Sequence, residues 1–200
     1  MIARVLLIAV LGVACASSAA ASEYSKVNGS VQVGAGRQVT DDVSTVNGSV
    51  TIGEGASVEE ASTVNGSITL GPRATAKEMN AVNGRLTLDE SSSVSGAVSN
   101  VNGDIQLAAA HIGGGIHTNN GDVNVGANSH VEGGITVEKS SGGWFSWQGS
   151  PPRIVIGPGA VVDGPLRFER DVKLYVSDRA KIGAVTGATP VTYSGDTAPK

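Results

Sequence analysis

Between Val46 and Ala76 an aliphatic residue returns at every sixth position: Val46, Ile52, Val58, Val64, Leu70 and Ala76. Two residues before most of them stands a second small or aliphatic side chain: Val50, Ala56, Ser62, Ile68 and Ala74. Side chains alternate between the two faces of a strand. A pair at i−2 and i, with an outward residue between, therefore predicts a very short strand with one buried face. The three residues left in each six make a corner. Asn47-Gly48-Ser49 and Gly53-Glu54-Gly55 carry residues that tolerate left-handed backbone. Three strands and three corners close one turn of chain.

A longer period confirms the unit. Val-Asn-Gly begins at Val27, Val46, Val64, Val82 and Val101, and Asn119-Asn120-Gly121 is a degenerate sixth copy. The asparagines Asn28, Asn47, Asn65, Asn83, Asn102 and Asn120 are 19, 18, 18, 19 and 18 residues apart. The inward pairs return as Val123/Val125, Ser129/Val131 and Ile135/Val137. They resume as Ile154/Ile156, Ala160/Val162, Leu166/Phe168 and Val172/Leu174, with Ala180/Ile182 after a slip of two. Small residues blur the register between Leu88 and Thr118.

The pattern predicts an all-β fold: a single-stranded triangular parallel β-helix of ~18-residue turns, about eight turns and roughly 40 Å long at the spacing of neighbouring strands. One turn cannot bury its inner face alone, but a stack forms a continuous core. The usual hand of parallel crossovers makes it right-handed. The expected domain runs over residues 22–186, and the loss of period beyond it predicts a flexible tail over 187–200. Stacked Val-Asn-Gly corners predict an asparagine ladder along one edge, whose role is to stabilise the corner.

The first residues read differently. Arg4 precedes an apolar run from Val5 to Val13, followed by small residues from Ala14 to Ser22. This is the layout of a secretory signal peptide over residues 1–21, cut after Ala21. Gly12-Val13-Ala14-Cys15 also partly resembles a bacterial lipoprotein box, in which Cys15 would be lipidated and tether the chain to a membrane. The expected location is periplasmic or secreted on the first reading and membrane-tethered on the second.

Composition fits a thin prism. Glycine supplies 28 of 200 residues, aromatics only 4%, and hydrophobic residues 40%. A net charge of −4 argues against a nucleic-acid partner that needs a basic face. A single cysteine excludes an internal disulfide framework and a thiolate zinc site.

The repeat is interrupted once, at residues 138–153, where Trp144, Phe145 and Trp147 are three of the seven aromatics. This segment reads as a loop thrown out of the prism, with Gly142-Gly143 before the rings and Pro151-Pro152 after them. Two destinations stand for the rings: packing on a prism face as a flap, or contact with a partner, glycan or lipid headgroup layer. His111, His117 and His130 read as solvent-facing. His111 and His117 are six apart and fall on successive strands, with no acidic cluster recurring beside them, so no metal or catalytic site is expected. Calcium is not expected either, since the corners lack repeated Asp. Asp41-Asp42 and Glu59-Glu60 read as solvated corner charges. Arg167, Glu169, Arg170, Asp171, Lys173, Asp178, Arg179 and Lys181 make the last turns the most charged, which discourages stacking at an open end. No cofactor is expected.

Two families share the six-residue inward period. Val46-Asn47-Gly48-Ser49-Val50-Thr51 followed by Ile52-Gly53-Glu54-Gly55-Ala56-Ser57 resembles the hexapeptide-repeat acyltransferases, left-handed β-helices that use a histidine and an acyl-coenzyme donor. An exported chain would lie away from such donors, and no histidine here sits in a recognisable catalytic loop. Residues Ile154 to Gly164 (IVIGPGAVVDG) and Val123 to Gly133 (VNVGANSHVEG) resemble turns of the bactofilins, polymer-forming bacterial cytoskeletal proteins. That resemblance, over about Val27 to Ile182, implies a right-handed triangular β-helix that polymerises end to end without nucleotide. Together these observations lead to an expectation of a non-enzymatic, exported structural or interaction module of the cell envelope. The alternatives are a glycan- or peptidoglycan-binding module using Trp144, Phe145 and Trp147, and an enzyme of the hexapeptide or polysaccharide-active kind.

Overall fold

The computed structural model describes residues 24–139 and 150–199. They form a parallel β-solenoid of about eight turns, with no helix among them. The expected signal peptide over residues 1–21, with Cys15, and the aromatic residues Trp144, Phe145 and Trp147 lie outside the described residues.

The first face is a ladder of nine parallel strands: Val31–Val33, Val50–Ile52, Ile68–Leu70, Leu86–Leu88, Ile105–Leu107, Val123–Val125, Arg153–Ile156, Lys173–Ser177 and Val191–Tyr193. Their inward side chains align rung over rung. Val31, Val50, Ile68, Leu86, Ile105, Val123, Ile154 and Leu174 make one column. Val33, Ile52, Leu70, Leu88, Leu107, Val125, Ile156 and Val176 make the other. Every one of these sixteen side chains is buried. Burial of an aliphatic side chain is worth about 1.5–3 kcal/mol, and it is this stacking, not any single turn, that holds the prism.

The second face carries the pairs Ala56/Val58, Ala74/Ala76, Ser92/Val94, Ala110/Ile112, Ser129/Val131 and Ala160/Val162, all buried. The third face corrects the six-residue period. Its inward pairs are Val43/Thr45, Ala61/Thr63, Met79/Ala81, Val98/Asn100, Ile116/Thr118, Ile135/Val137 and Leu166/Phe168. Ser62 and Val64 are therefore not the inward pair: Val64 is 38% exposed, and Val27 of the same tripeptide is 62% exposed. The valine of Val-Asn-Gly faces outward, one position out of the expected phase.

The physical reason lies in the corner that follows. Thr45 Oγ1 donates to the Gly29 carbonyl at 2.9 Å, and Thr63 Oγ1 to that of Gly48 at 3.0 Å. Asn100 Nδ2 donates to the carbonyls of Gly84 at 2.8 Å and Gly103 at 2.9 Å. A polar side chain inside the prism thus satisfies a part-buried glycine carbonyl at the corner, which an inward valine could not.

Two further expectations change near the C-terminus. The inward pair of the eighth first-face strand is Leu174/Val176, because Leu174 registers with Ile154 and Val176 with Ile156; Val172 is only half-buried. The expected tail over 187–200 contains the ninth first-face strand, Val191–Tyr193, paired with Tyr175–Ser177. Tyr193 is 6% exposed, and its hydroxyl donates to the Ile156 carbonyl at 3.3 Å. Burial raises its phenol pKa above the ordinary 10.0, against the opposing pull of the Arg153 and Arg179 charges. The remaining residues fold back along the first face. Arg179 pairs with Asp196 at 2.7 Å, and Arg153 Nη2 donates to the Pro199 carbonyl at 2.6 Å.

Candidate functional site

Three features stand out from the repeat: the asparagine edge, the place where residues 138–153 leave the prism, and a column of histidines and carboxylates.

Along the edge between the third and first faces, each asparagine Nδ2 donates to the Oδ1 of the asparagine one turn before. Asn47 donates to Asn28 at 3.1 Å, Asn65 to Asn47 at 3.0 Å and Asn83 to Asn65 at 3.1 Å. Asn102 donates to Asn83 at 3.0 Å and Asn120 to Asn102 at 3.1 Å. The glycine after each asparagine is fixed by close approach. A Cβ on Gly66 would sit 1.8 Å from the Gly48 oxygen, and one on Gly84 would sit 1.8 Å from the Gly66 oxygen. All the amide bonds run one way, so the last acceptor, Asn120 Oδ1, is left for another donor. Arg170 supplies it, and its Nη1 also donates to the Asn119 carbonyl at 3.0 Å.

The aromatic segment leaves at this same edge, one turn beyond Asn120, where the next Asn-Gly corner would stand. Both of its described roots are pinned. Lys139 N–H donates to Glu169 Oε2 at 3.3 Å, and Arg153 N–H to Asp122 Oδ1 at 2.8 Å. Arg153 also lies over the Tyr175 ring at 5.0 Å. Arg170 therefore closes the edge across the gap that the excursion leaves.

The histidines depart from expectation. His111 and His130 occupy equivalent positions on adjacent rungs of the second face, flanked by Ser93 and Val161. Their ring centroids are 5.3 Å apart, tilted by 53°. His111 Nε2 meets Glu132 Oε1 at 2.9 Å, and His111 Nδ1 meets Ser93 Oγ at 3.2 Å. His130 Nε2 meets Asp163 Oδ2 at 2.6 Å. An acidic and histidine cluster does stand here. One ligating atom from each of His111, His130 and Glu132 lies within 4.8 Å of the others. His111 and His117 share one turn; the neighbour of His111 across the stack is His130, 19 residues away, the same step that separates Asn83 from Asn102. His117 lies on the third face, in register with Ser99 and Thr136.

Asp41 and Asp42 are exposed at a corner as expected. Glu59 and Glu60 instead lie inside the strand Ser57–Asn65. Glu59 pairs with Lys77, and Glu60 accepts from Asn80 Nδ2 at 3.1 Å.

No protein-family description, no curated protein and no solved structure matches this chain.

Proposed function

We propose that the chain is a non-enzymatic scaffold of the bacterial cell envelope that self-associates end to end through the rims of its solenoid. One observation carries the reading. Two of the three exposed large hydrophobics of the described residues, Val27 at 62% and Val191 at 52%, stand on terminal rungs at opposite ends. Among the described residues the strands there pair on one side only: Ser25–Asn28 and Val31–Val33 at one end, Lys181–Ile182, Val185–Thr186 and Val191–Tyr193 at the other. An unpaired strand edge is a template for another copy of the same chain. Ile182, Val185 and Ala188 pack against the core while only partly buried, so a copy docking there would extend the core as well as the ladder. The likeness of residues 123–133 and 154–164 to bactofilin turns supports polymer formation, and the segment 1–21 supports export.

Sedimentation across a concentration series, with negative-stain imaging, tests the reading on protein isolated from its own cells. Growth of end-to-end chains is expected, and its loss in a Val27→Lys, Val191→Lys double variant, whose sites are exposed and whose added charges repel at the rims. A wild-type chain that remains a monomer throughout overturns it. Intact mass from the same sample separates a chain beginning at Ser22 from a lipidated one beginning at Cys15.

A second reading assigns Trp144, Phe145 and Trp147 to a cell-envelope glycan. The pinned roots at Lys139 and Arg153 favour it, since a segment held at both ends loses less freedom on binding. Polysaccharide pull-down with a Trp144→Ala, Trp147→Ala variant decides it: unchanged retention removes the assignment.

A further inference from the structure

We propose that His111, His130 and Glu132 form a site for a borderline divalent transition metal, with zinc as the representative ion, bridging two adjacent turns of the solenoid. The donor set is two imidazoles and one carboxylate, a combination that suits zinc and its neighbours rather than calcium or magnesium. The spacing comes from the fold. Parallel rungs lie about 4.8 Å apart, and the register places His111 directly beside His130. Glu132 falls two residues beyond His130, opposite Gly113 of the preceding turn. Gly113 carries no side chain, so the Glu132 carboxylate is free to swing back to His111. The three ligating atoms already lie within 4.8 Å of one another, against roughly 3.3 Å for ligand pairs in a tetrahedral zinc site. Side-chain rotation at this half-exposed surface closes the difference without moving the backbone.

The partners of the two rings prepare them for this role. Asp163 Oδ2 takes the Nε2–H of His130, which leaves Nδ1 with its lone pair for a metal. Ser93 Oγ faces Nδ1 of His111 and can either donate to it or accept from it. In the metal-free state Nε2 of His111 donates to Glu132, and Nδ1 accepts from Ser93. With the metal on Nε2, Nδ1 carries the ring proton and donates to Ser93. The same hydroxyl serves both states. Glu132 and Asp163 bring two negative charges to match a divalent cation.

The test uses the full exported chain, purified without a histidine tag, titrated with Zn2+ by calorimetry and with Co2+ by visible absorption. One equivalent per chain is expected, with a Co2+ ligand-field band and a rise in thermal midpoint on adding Zn2+. His111→Ala with His130→Ala weakens binding by ~100-fold or more and abolishes the band. Glu132→Gln weakens it by ~10-fold or more, and Asp163→Asn by ~10-fold through the orientation of His130. His117→Ala, on another face, changes nothing. Circular dichroism checks that the strand signature survives, and Glu132→Gln, at an exposed side chain, keeps the test decisive if the double variant loses it. Absence of binding to the wild-type chain, or binding that persists unchanged in the His111→Ala, His130→Ala and Glu132→Gln variants, overturns the proposal.

Discussion

At the corner between the second and third faces, Ser57–Asn65 and Thr75–Asn83 run through as unbroken nine-residue strands, whereas each turn from Gly96 onward breaks at a glycine. The early turns bend and keep their side chains: Glu59 meets Lys77, and Glu60 meets Asn80. The late turns bring backbone against backbone. Gly114 N–H donates to Gly96 O at 2.9 Å and Gly133 N–H to Gly114 O at 2.8 Å. A Cβ on Gly114 would lie 2.5 Å from the Gly96 carbonyl carbon, and one on Gly133 would lie 2.5 Å from that of Gly114. A gentle bend needs no special residue, while a sharp corner excludes every side chain but hydrogen. The sharp corner also thrusts the residue before it to an edge. In two late turns that residue is a carboxylate, Glu132 or Asp163, and each reaches the histidine of the preceding turn.

The largest effect should come from filling the sharp corner. Gly114→Ala is expected to cost about 3 kcal/mol, because the new methyl must displace backbone, whereas Lys77→Ala at the open corner should cost under about 0.5 kcal/mol. Urea unfolding followed by circular dichroism measures both; equal costs would erase the distinction between the two kinds of turn.

The polar column inside the third face gives a second contrast. Thr63 serves the Gly48 carbonyl, while Thr118 Oγ1 is buried with no partner among the described residues. Thr63→Val should therefore destabilise by about 1–2 kcal/mol, and Thr118→Val should be neutral or stabilising. Comparing the two midpoints in one denaturant series sharpens the claim that this column makes corner bonds as far as Asn100 and none at Thr118.

The smallest effect concerns the ends. The first third-face strand, Ser25–Asn28, is exposed throughout, but the last first-face strand is closed by Tyr193. With its folded-state pKa raised, the neutral phenol of Tyr193 favours the folded chain. That contribution is complete below the ordinary value of 10.0 and is lost as pH rises through the folded-state value. Stability measured across this alkaline range should fall less steeply for Tyr193→Phe; identical slopes would mean that the ring is open to water at this end too.

The solenoid is legible because its inward aliphatics obey one period on two faces: Val50/Ile52 with Ala56/Val58, and Ile68/Leu70 with Ala74/Ala76. The third face misleads for a chemical reason. Hydrophobicity alone puts Val64 inside ahead of Thr63, yet the hydroxyl of Thr63 has the Gly48 carbonyl to meet. The steps in the turns that begin at Val50 and Ile68 are consequently six, five and seven residues, and in the turn that begins at Leu86 six, six and seven, not three equal sixes. The asparagine edge is readable because identical side chains recur at a fixed step. The histidine pair is hidden because only two turns carry it, and its acidic partners lie at offsets of 21 and 33 residues, the second lengthened by the aromatic excursion.

The asparagine edge has a consequence for how long the molecule endures. Asn-Gly is the dipeptide most prone to spontaneous deamidation, in which the glycine nitrogen attacks the side-chain carbonyl carbon and ammonia departs; asparagine is for this reason a thermolabile residue. Here the N–H groups of Gly29, Gly48, Gly66, Gly84 and Gly103 each donate to the asparagine carbonyl one turn ahead, at 2.8–2.9 Å. The would-be leaving nitrogens of Asn47, Asn65, Asn83, Asn102 and Asn120 are held as well. Stacking thus converts five of the six Asn-Gly steps from weak points of chemical ageing into a protected seam. Among the described residues Gly121 has no such bond, and at Asn120, beside the place where the aromatic segment departs, the seam is held through the side chain alone.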